Sequence, residues 1–343
     1  MARLSYSSTV ASLSLKRKLS FHEANFYLCF LFQGTLPGYR KLLPTLHSNE
    51  EFTLETANRI YLQKGFKPKK LYREILKYDF LATAVEMDFS KSQRAVDKIN
   101  KWVEKVTHHK IKGLLNRKMI GADTKMVLIN AIYFRGTWKT KFDRDQTKEK
   151  DFTTESGHNV KVPTMHLKEK KDIAVLKQLK IKVLRLPYEG ERIVMDIVLP
   201  DDKGGLKAVE EKLKTVDLKD LLEEKLYEQE VEVDLPKFKI DTTWKQLKGI
   251  LQSLGITDIF HGGLEGIADG GLSLSEVIQK ATIEVDEAGS EAAAATGGLT
   301  MFKSANLDND VLSFKADHPF LFSLRDIKTG LLLFRGRVSD PSK

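Results

Sequence analysis

The sequence predicts a mixed α/β fold of the α+β kind, built as one domain over most of its length. Three observations carry this. Strand-type and helix-type segments interleave along the chain with no internal repeat. The run Met126–Phe134, M-V-L-I-N-A-I-Y-F, is almost wholly apolar, as a central strand covered on both faces must be. The 343 residues are 41% hydrophobic and 30% charged, the composition of a globular protein with a sizeable core.

The segments Phe52–Gln63 and Ala84–Phe89 predict the first strands. Val96, Ile99, Val103 and Val106 then recur at helical spacing, started by Ser90 with Gln93 three residues on, a capping-box pattern. Strands are predicted at Lys180–Leu186, Arg192–Leu199, Val231–Ile240 and Val277–Asp286, and helices at Leu206–Leu226 and Thr243–Leu254, the second closed by Gly255. At the C-terminal end P-F-L-F-S-L-R-D and G-L-L-L-F-R-G-R-V flank I-K-T, a hairpin with Gly330 in its turn. No proline- or serine-rich linker divides the chain after Gly38. The expected division is therefore an atypical N-terminal segment, Met1–Pro37, and one domain, Gly38–Lys343.

A net charge of +9 raises the prospect of a polyanionic partner. Lys64, Lys67, Lys69, Lys70 and Arg73, with Lys77, are opposed locally only by Glu74 and are candidates to bind an anion such as a sulfated glycan. The plainer reading is a solvated face. Aromatic interleaving is sparse there, so nucleic acid is not expected. The one cysteine, Cys29, forbids an intrachain disulfide and does not decide the compartment. The apolar run Phe26–Phe32 is too short to span a bilayer and lacks a cleavage pattern, so no membrane partner is expected and no signal peptide is visible. His108 and His109 adjoin and cannot share a metal as an i, i+4 pair would, and no nucleophile elbow, phosphate loop or zinc motif occurs. The expectation is no enzyme, no metal and no cofactor. Asn130 is the lone polar group of the apolar strand and calls for a hydrogen-bond network.

The segment Glu287–Ser304, E-A-G-S-E-A-A-A-A-T-G-G-L-T-M-F-K-S, has no settled local structure. Its alanine run is too short for a stable isolated helix, and Gly297–Gly298 would end it. As a strand it would place Ser290, Ala292, Ala294, Thr296 and Gly298 on one face, with nothing larger than threonine, and its one early charge, Glu291, on the other. A strand that must slide between two existing strands needs such a face, because a bulky or charged side chain would resist burial. The stretch has the character of a loop built to become a strand.

With that stretch the chain resembles a known family. E-V-D-E-A-G-S-E-A-A-A-A-T is similar to the reactive-loop hinge of inhibitory serpins. V-L-I-N-A-I-Y-F-R-G-T-W-K-T-K-F, D-L-P-K-F-K-I-D, L-G-I-T-D-I-F, S-E-V-I-Q-K-A and F-K-A-D-H-P-F-L-F follow in the family's order and spacing from about Gly38 to Pro341. The resemblance implies a serpin fold with a large central β-sheet, further sheets, several helices and an exposed reactive loop, Glu287–Leu312. It implies a secreted, extracellular, monomeric inhibitor of serine proteases, consumed as a suicide substrate when the cut loop inserts into the sheet. The hinge would be Glu287, Gly289, Ser290, Glu291, Ala292, Ala293, Ala294, Ala295 and Thr296. Counting along the family's loop places the attacked bond at Lys303–Ser304, and a lysine there implies a trypsin-like protease. Asn130, Trp138 and Gln279 match positions where the sheet opens, Gln279 standing where the family usually has histidine. A non-inhibitory carrier or chaperone, or an inactive truncated product, are the rival expectations. Family members carry further helices before the position of Gly38, one of them behind the sheet, and Met1–Pro37 shows no such pattern.

Overall fold

In a computed structural model of the protein, residues 3–4, 38, 40, 52–244, 246–290 and 311–343 are described. Two sheets form the body. The six-stranded sheet runs β10 (Phe238–Trp244), β11 (Glu276–Val285), β4 (Met126–Thr137), β2 (Phe52–Gln63), β3 (Thr83–Met87), with the short β12 (Gly289–Ser290) on the end of β4. The nine-stranded sheet runs β1 (Arg3–Leu4), β15 (Leu331–Val338), β14 (Phe320–Asp326), β8 (Ile193–Pro200), β7 (Ile181–Pro187), β6 (Asn159–Leu176), β9 (Tyr227–Pro236), β13 (Leu312–Lys315), and β5 (Lys148–Thr153) joins β6. Among the residues 52–343 that are described, five α-helices accompany them: α1 (Lys70–Asp79), α2 (Ser92–Val106), α3 (Leu206–Lys212), α4 (Leu218–Lys225) and α5 (Leu247–Ser253). The mixed α/β expectation holds.

The apolar run lies at the middle of the six-stranded sheet, as its composition demands. Ile132 and Phe134 point into the core between the sheets with Leu54, Ile240 and Ile283, against Phe152, Met165, Ile197 and Phe322. On the other face Val127, Ile129, Ala131 and Tyr133 pack under α2 through Val96, Ile99 and Val103. Alternation along β4 thus feeds two cores at once. The predicted hairpin is present as β14 and β15, with Gly330 at φ 72° in the turn.

The structure departs from the local pattern at four places. Val231–Ile240 is two strands, because Pro236 ends β9 in one sheet and Phe238 begins β10 in the other. Thr243 and Trp244 extend β10, paired with Lys280 and Gln279, so the helix expected from Thr243 starts at Leu247. Leu206–Leu226 breaks into α3 and α4, with Asp217 capping the second through the Lys219 N–H at 2.8 Å. The capping box does not form. α2 starts at Ser92 with Lys91 at its N-cap, while Ser90 bonds the Asp88 carboxylate. Sequence reading also missed α1, β5 and the long β6.

Candidate functional site

β4 and β11 run parallel and stay in register from Val127–Glu276 to Tyr133–Thr282. Beyond Tyr133 they part. β4 continues to Thr137 along β2, while β11 follows β10 as far as Val285. Into the top of this wedge the chain turns back from β11, and β12 pairs antiparallel with β4: Gly289 opposite Thr137, Ser290 opposite Gly136.

The turn is closed by Asp286. Its backbone N–H donates to the Gly289 carbonyl at 2.7 Å, and its Oδ1 accepts from the N–H of Ala288 at 2.9 Å and of Gly289 at 3.2 Å. Gly289 sits at φ 135°, and a Cβ there would meet the Gly136 carbonyl oxygen at 2.1 Å. Only glycine can hold this position. Trp138 locks the turn from below. Its backbone N–H donates to Ala288 O at 2.8 Å, its indole Nε1 donates to Asp286 O at 2.9 Å, and its ring stacks on Tyr188 with centroids 4.3 Å apart.

Glu287 is buried to 5% exposure with its carboxylate satisfied. Lys237 Nζ donates at 2.8 and 3.1 Å and Thr147 Oγ1 at 2.8 Å, while the Glu287 carbonyl accepts from Phe142 N. Burial pushes the carboxyl up, but hydrogen bonds from Lys237, the backbone and Thr147, with the lysine's charge, outweigh it and hold the pKa below its ordinary value. Lys237 and Thr147 were not singled out from the sequence. They lie 50 and 140 residues from Glu287, and no local signal joins them.

In the middle of the sheet Asn130 Nδ2 donates to Asn58 Oδ1, the network that a lone amide in an apolar strand requires. The ladder register extends this row: Asn58, Asn130, Gln279 and Trp244 lie side by side on β2, β4, β11 and β10. Trp138 and Asn130 with Gln279 therefore mark two levels of one seam, its top and its centre. α2 lies across that seam, packed on Ala57 and Tyr61 of β2, on β4, and on Ile278 of β11, and Arg59 stands 4.0 Å over the Trp102 ring.

Glu291, Ala292, Ala293, Ala294, Ala295, Thr296, Lys303 and Ser304 lie outside the described residues. The cations Lys64, Lys67, Lys69, Lys70 and Arg73 are all exposed, on the turn after β2 and on α1. Lys69 meets Asp269 at 2.8 Å and Lys70 approaches Glu74 at 3.9 Å. They lie at the opposite end of the six-stranded sheet from β12. Among the described residues no group of three or more metal-ligating side chains converges. His318 is buried by hydrogen-bonding contacts to Pro200 O and Asp317 instead.

The comparisons agree with this architecture. The family model described as Serpin (serine protease inhibitor) matches residues 15–341, starting ahead of Gly38. Serpin B3 of Homo sapiens is 36% identical over 309 residues, 88% of this chain and 78% of the relative; Alaserpin of Manduca sexta is 38% identical over 293 residues, 84% and 73%. Among solved structures, Serpin48 of the insect Tenebrio molitor matches with a TM-score of 0.79 at 34% identity, covering 90% of this chain and 81% of that one. Thyroxine-binding globulin in complex with thyroxine matches with a TM-score of 0.80 at 27% identity, covering 91% and 82%. A parallel strand pair parting above a buried tryptophan, a glycine-hinged return strand in the wedge and a family match over most of the sequence lead to one conclusion: the chain belongs to the serpin family.

Proposed function

We propose that this serpin is a monomeric, extracellular suicide substrate of a trypsin-like serine protease, not an enzyme. The protease serine attacks the Lys303 carbonyl, the Lys303–Ser304 amide bond breaks, and the new amino group of Ser304 leaves carrying a proton. Lys303 is left as an ester on the protease. The freed hinge then inserts between β4 and β11 and carries the protease with it before water can cleave the ester.

The observation that supports this reading is the antiparallel pairing of Gly289–Ser290 with Thr137–Gly136 in the open wedge, the first two rungs of an inserting strand. Continuing the same register would bring Glu291 opposite Arg135, Ala292 opposite Phe134, Ala294 opposite Ile132 and Thr296 opposite Asn130. The small side chains of Ala292 and Ala294 then enter the core between the sheets. Each ladder bond adds about 0.5–1.5 kcal/mol net, so a full strand supplies the drive. Displacing the acyl-enzyme geometry by ~1 Å costs orders of magnitude in hydrolysis.

Mixing the chain with trypsin tests the proposal. The expected result is a covalent complex that survives denaturing electrophoresis. Cleavage at Lys303 with no complex would refute it and favour a non-inhibitory carrier, the kind of protein that the thyroxine-bound relative's name describes.

A further inference from the structure

The end of the six-stranded sheet opposite the hinge carries an unusual surface. α1 buries Leu76 against Ile60, Leu62, Met126 and Leu272, yet its outer face exposes Leu71 by 68% and Tyr78 by 66%. These two are seven residues apart, two helical turns, and so lie on one stripe, with the exposed Glu74 between them held by Lys70 at 3.9 Å. Lys70, Arg73 and Lys77 flank the stripe, with Lys77 Nζ 5.0 Å from the Tyr78 ring, and Lys64 and Lys67 precede the helix. Leu81, just beyond α1, is 48% exposed. α5 packs on the same buried cluster, and Leu254, just beyond it, is 54% exposed.

Large apolar side chains standing out among lysines are the pattern of a helix that lies in a membrane interface, not of an ordinary solvated face. We propose that this end of the molecule docks on an anionic lipid bilayer. The cations meet headgroup phosphates and carboxylates while Leu71 and Tyr78 enter the boundary with the acyl chains. No membrane-spanning segment is needed for this, which is why sequence reading did not expect a membrane partner. A sulfated glycan would satisfy the cations but leave Leu71 and Tyr78 without a role. A second copy of the chain would set the same cations against each other. β4 runs 12 residues from this end to the hinge, roughly 36 Å at ~3.3 Å per residue, so a docked molecule presents its hinge end away from the lipid.

Co-sedimentation of the full chain with vesicles tests the docking without any protease. Binding is expected to vesicles containing phosphatidylserine, to be absent with phosphatidylcholine alone, and to weaken with added salt. Lys70→Ala, Arg73→Ala and Lys77→Ala should each lower it about fivefold. The pair Leu71→Ser with Tyr78→Ser should lower it roughly tenfold or more, with retention on an immobilised sulfated glycan and melting temperature unchanged. No binding to anionic vesicles overturns the proposal. So does undiminished vesicle binding by the serine pair, which would mark a plain polyanion surface. A concentration-dependent dimer dissolved by Leu71→Ser would overturn it in favour of self-association.

Discussion

Ala294→Arg tests insertion at its most sensitive point. On the register set by Gly289–Thr137 and Ser290–Gly136, position 294 enters opposite Ile132, which is 6% exposed within the core between the sheets. An arginine there must be carried, charged, among Phe134, Ile283 and their neighbours. Taking an ion out of water without a partner costs several kcal/mol even after relaxation. If only about 3 kcal/mol of that is felt at the transition state for insertion, the step slows roughly 150-fold. Under the proposed mechanism, hydrolysis of the acyl-enzyme then wins, and the variant is cut as a plain substrate. The assay is complex formation with trypsin on denaturing gels, alongside the rate of cutting at Lys303. Cutting should proceed at the parent rate while complex falls to a trace. Glu291→Gln, meant for the half-exposed Arg135, serves as the control and should keep its complex. Undiminished complex with Ala294→Arg would refute the register and the insertion argument with it.

Mass spectrometry of the peptide released by trypsin should find it starting at Ser304, and no release at that bond would refute Lys303 as the attacked residue. Lys237→Met should destabilise the uncut protein by about 2 kcal/mol in chemical denaturation, because it strips a charged donor from the buried Glu287 carboxylate. The folded pKa of Glu287 is depressed, so its contribution is fully present above the ordinary value of 4.5 and is lost as pH falls from there through the folded value. The parent should therefore lose stability in that acid window, and Lys237→Met should lose less; equal slopes would refute the pairing. Asn130→Ala leaves Asn58 without its donor and should lower stability by roughly 1–3 kcal/mol, read as a lower melting temperature. Gly289→Val should release β12 from β4, since its Cβ meets backbone at 2.1 Å, and faster hydrogen exchange at Ser290 would report it.

The sequence by itself determined the central strand and the terminal hairpin. Each rests on a local rule: an unbroken apolar run needs two covered faces, and a glycine-bearing turn between apolar runs makes a hairpin. It also flagged Asn130, because a single amide in an apolar run needs a partner, but could not name Asn58, 72 residues away. Tertiary structure decided what periodicity cannot carry. The run Val231–Ile240 has one alternation but belongs to two sheets, since sheet membership depends on which distant strand offers its edge. Thr243 and Trp244 took a strand because β11 supplied ladder partners that a short helix could not match. The hold on Glu287 by Lys237 and Thr147, and the parting of β4 from β11 above Tyr133, exist only once chain segments far apart in sequence are brought side by side.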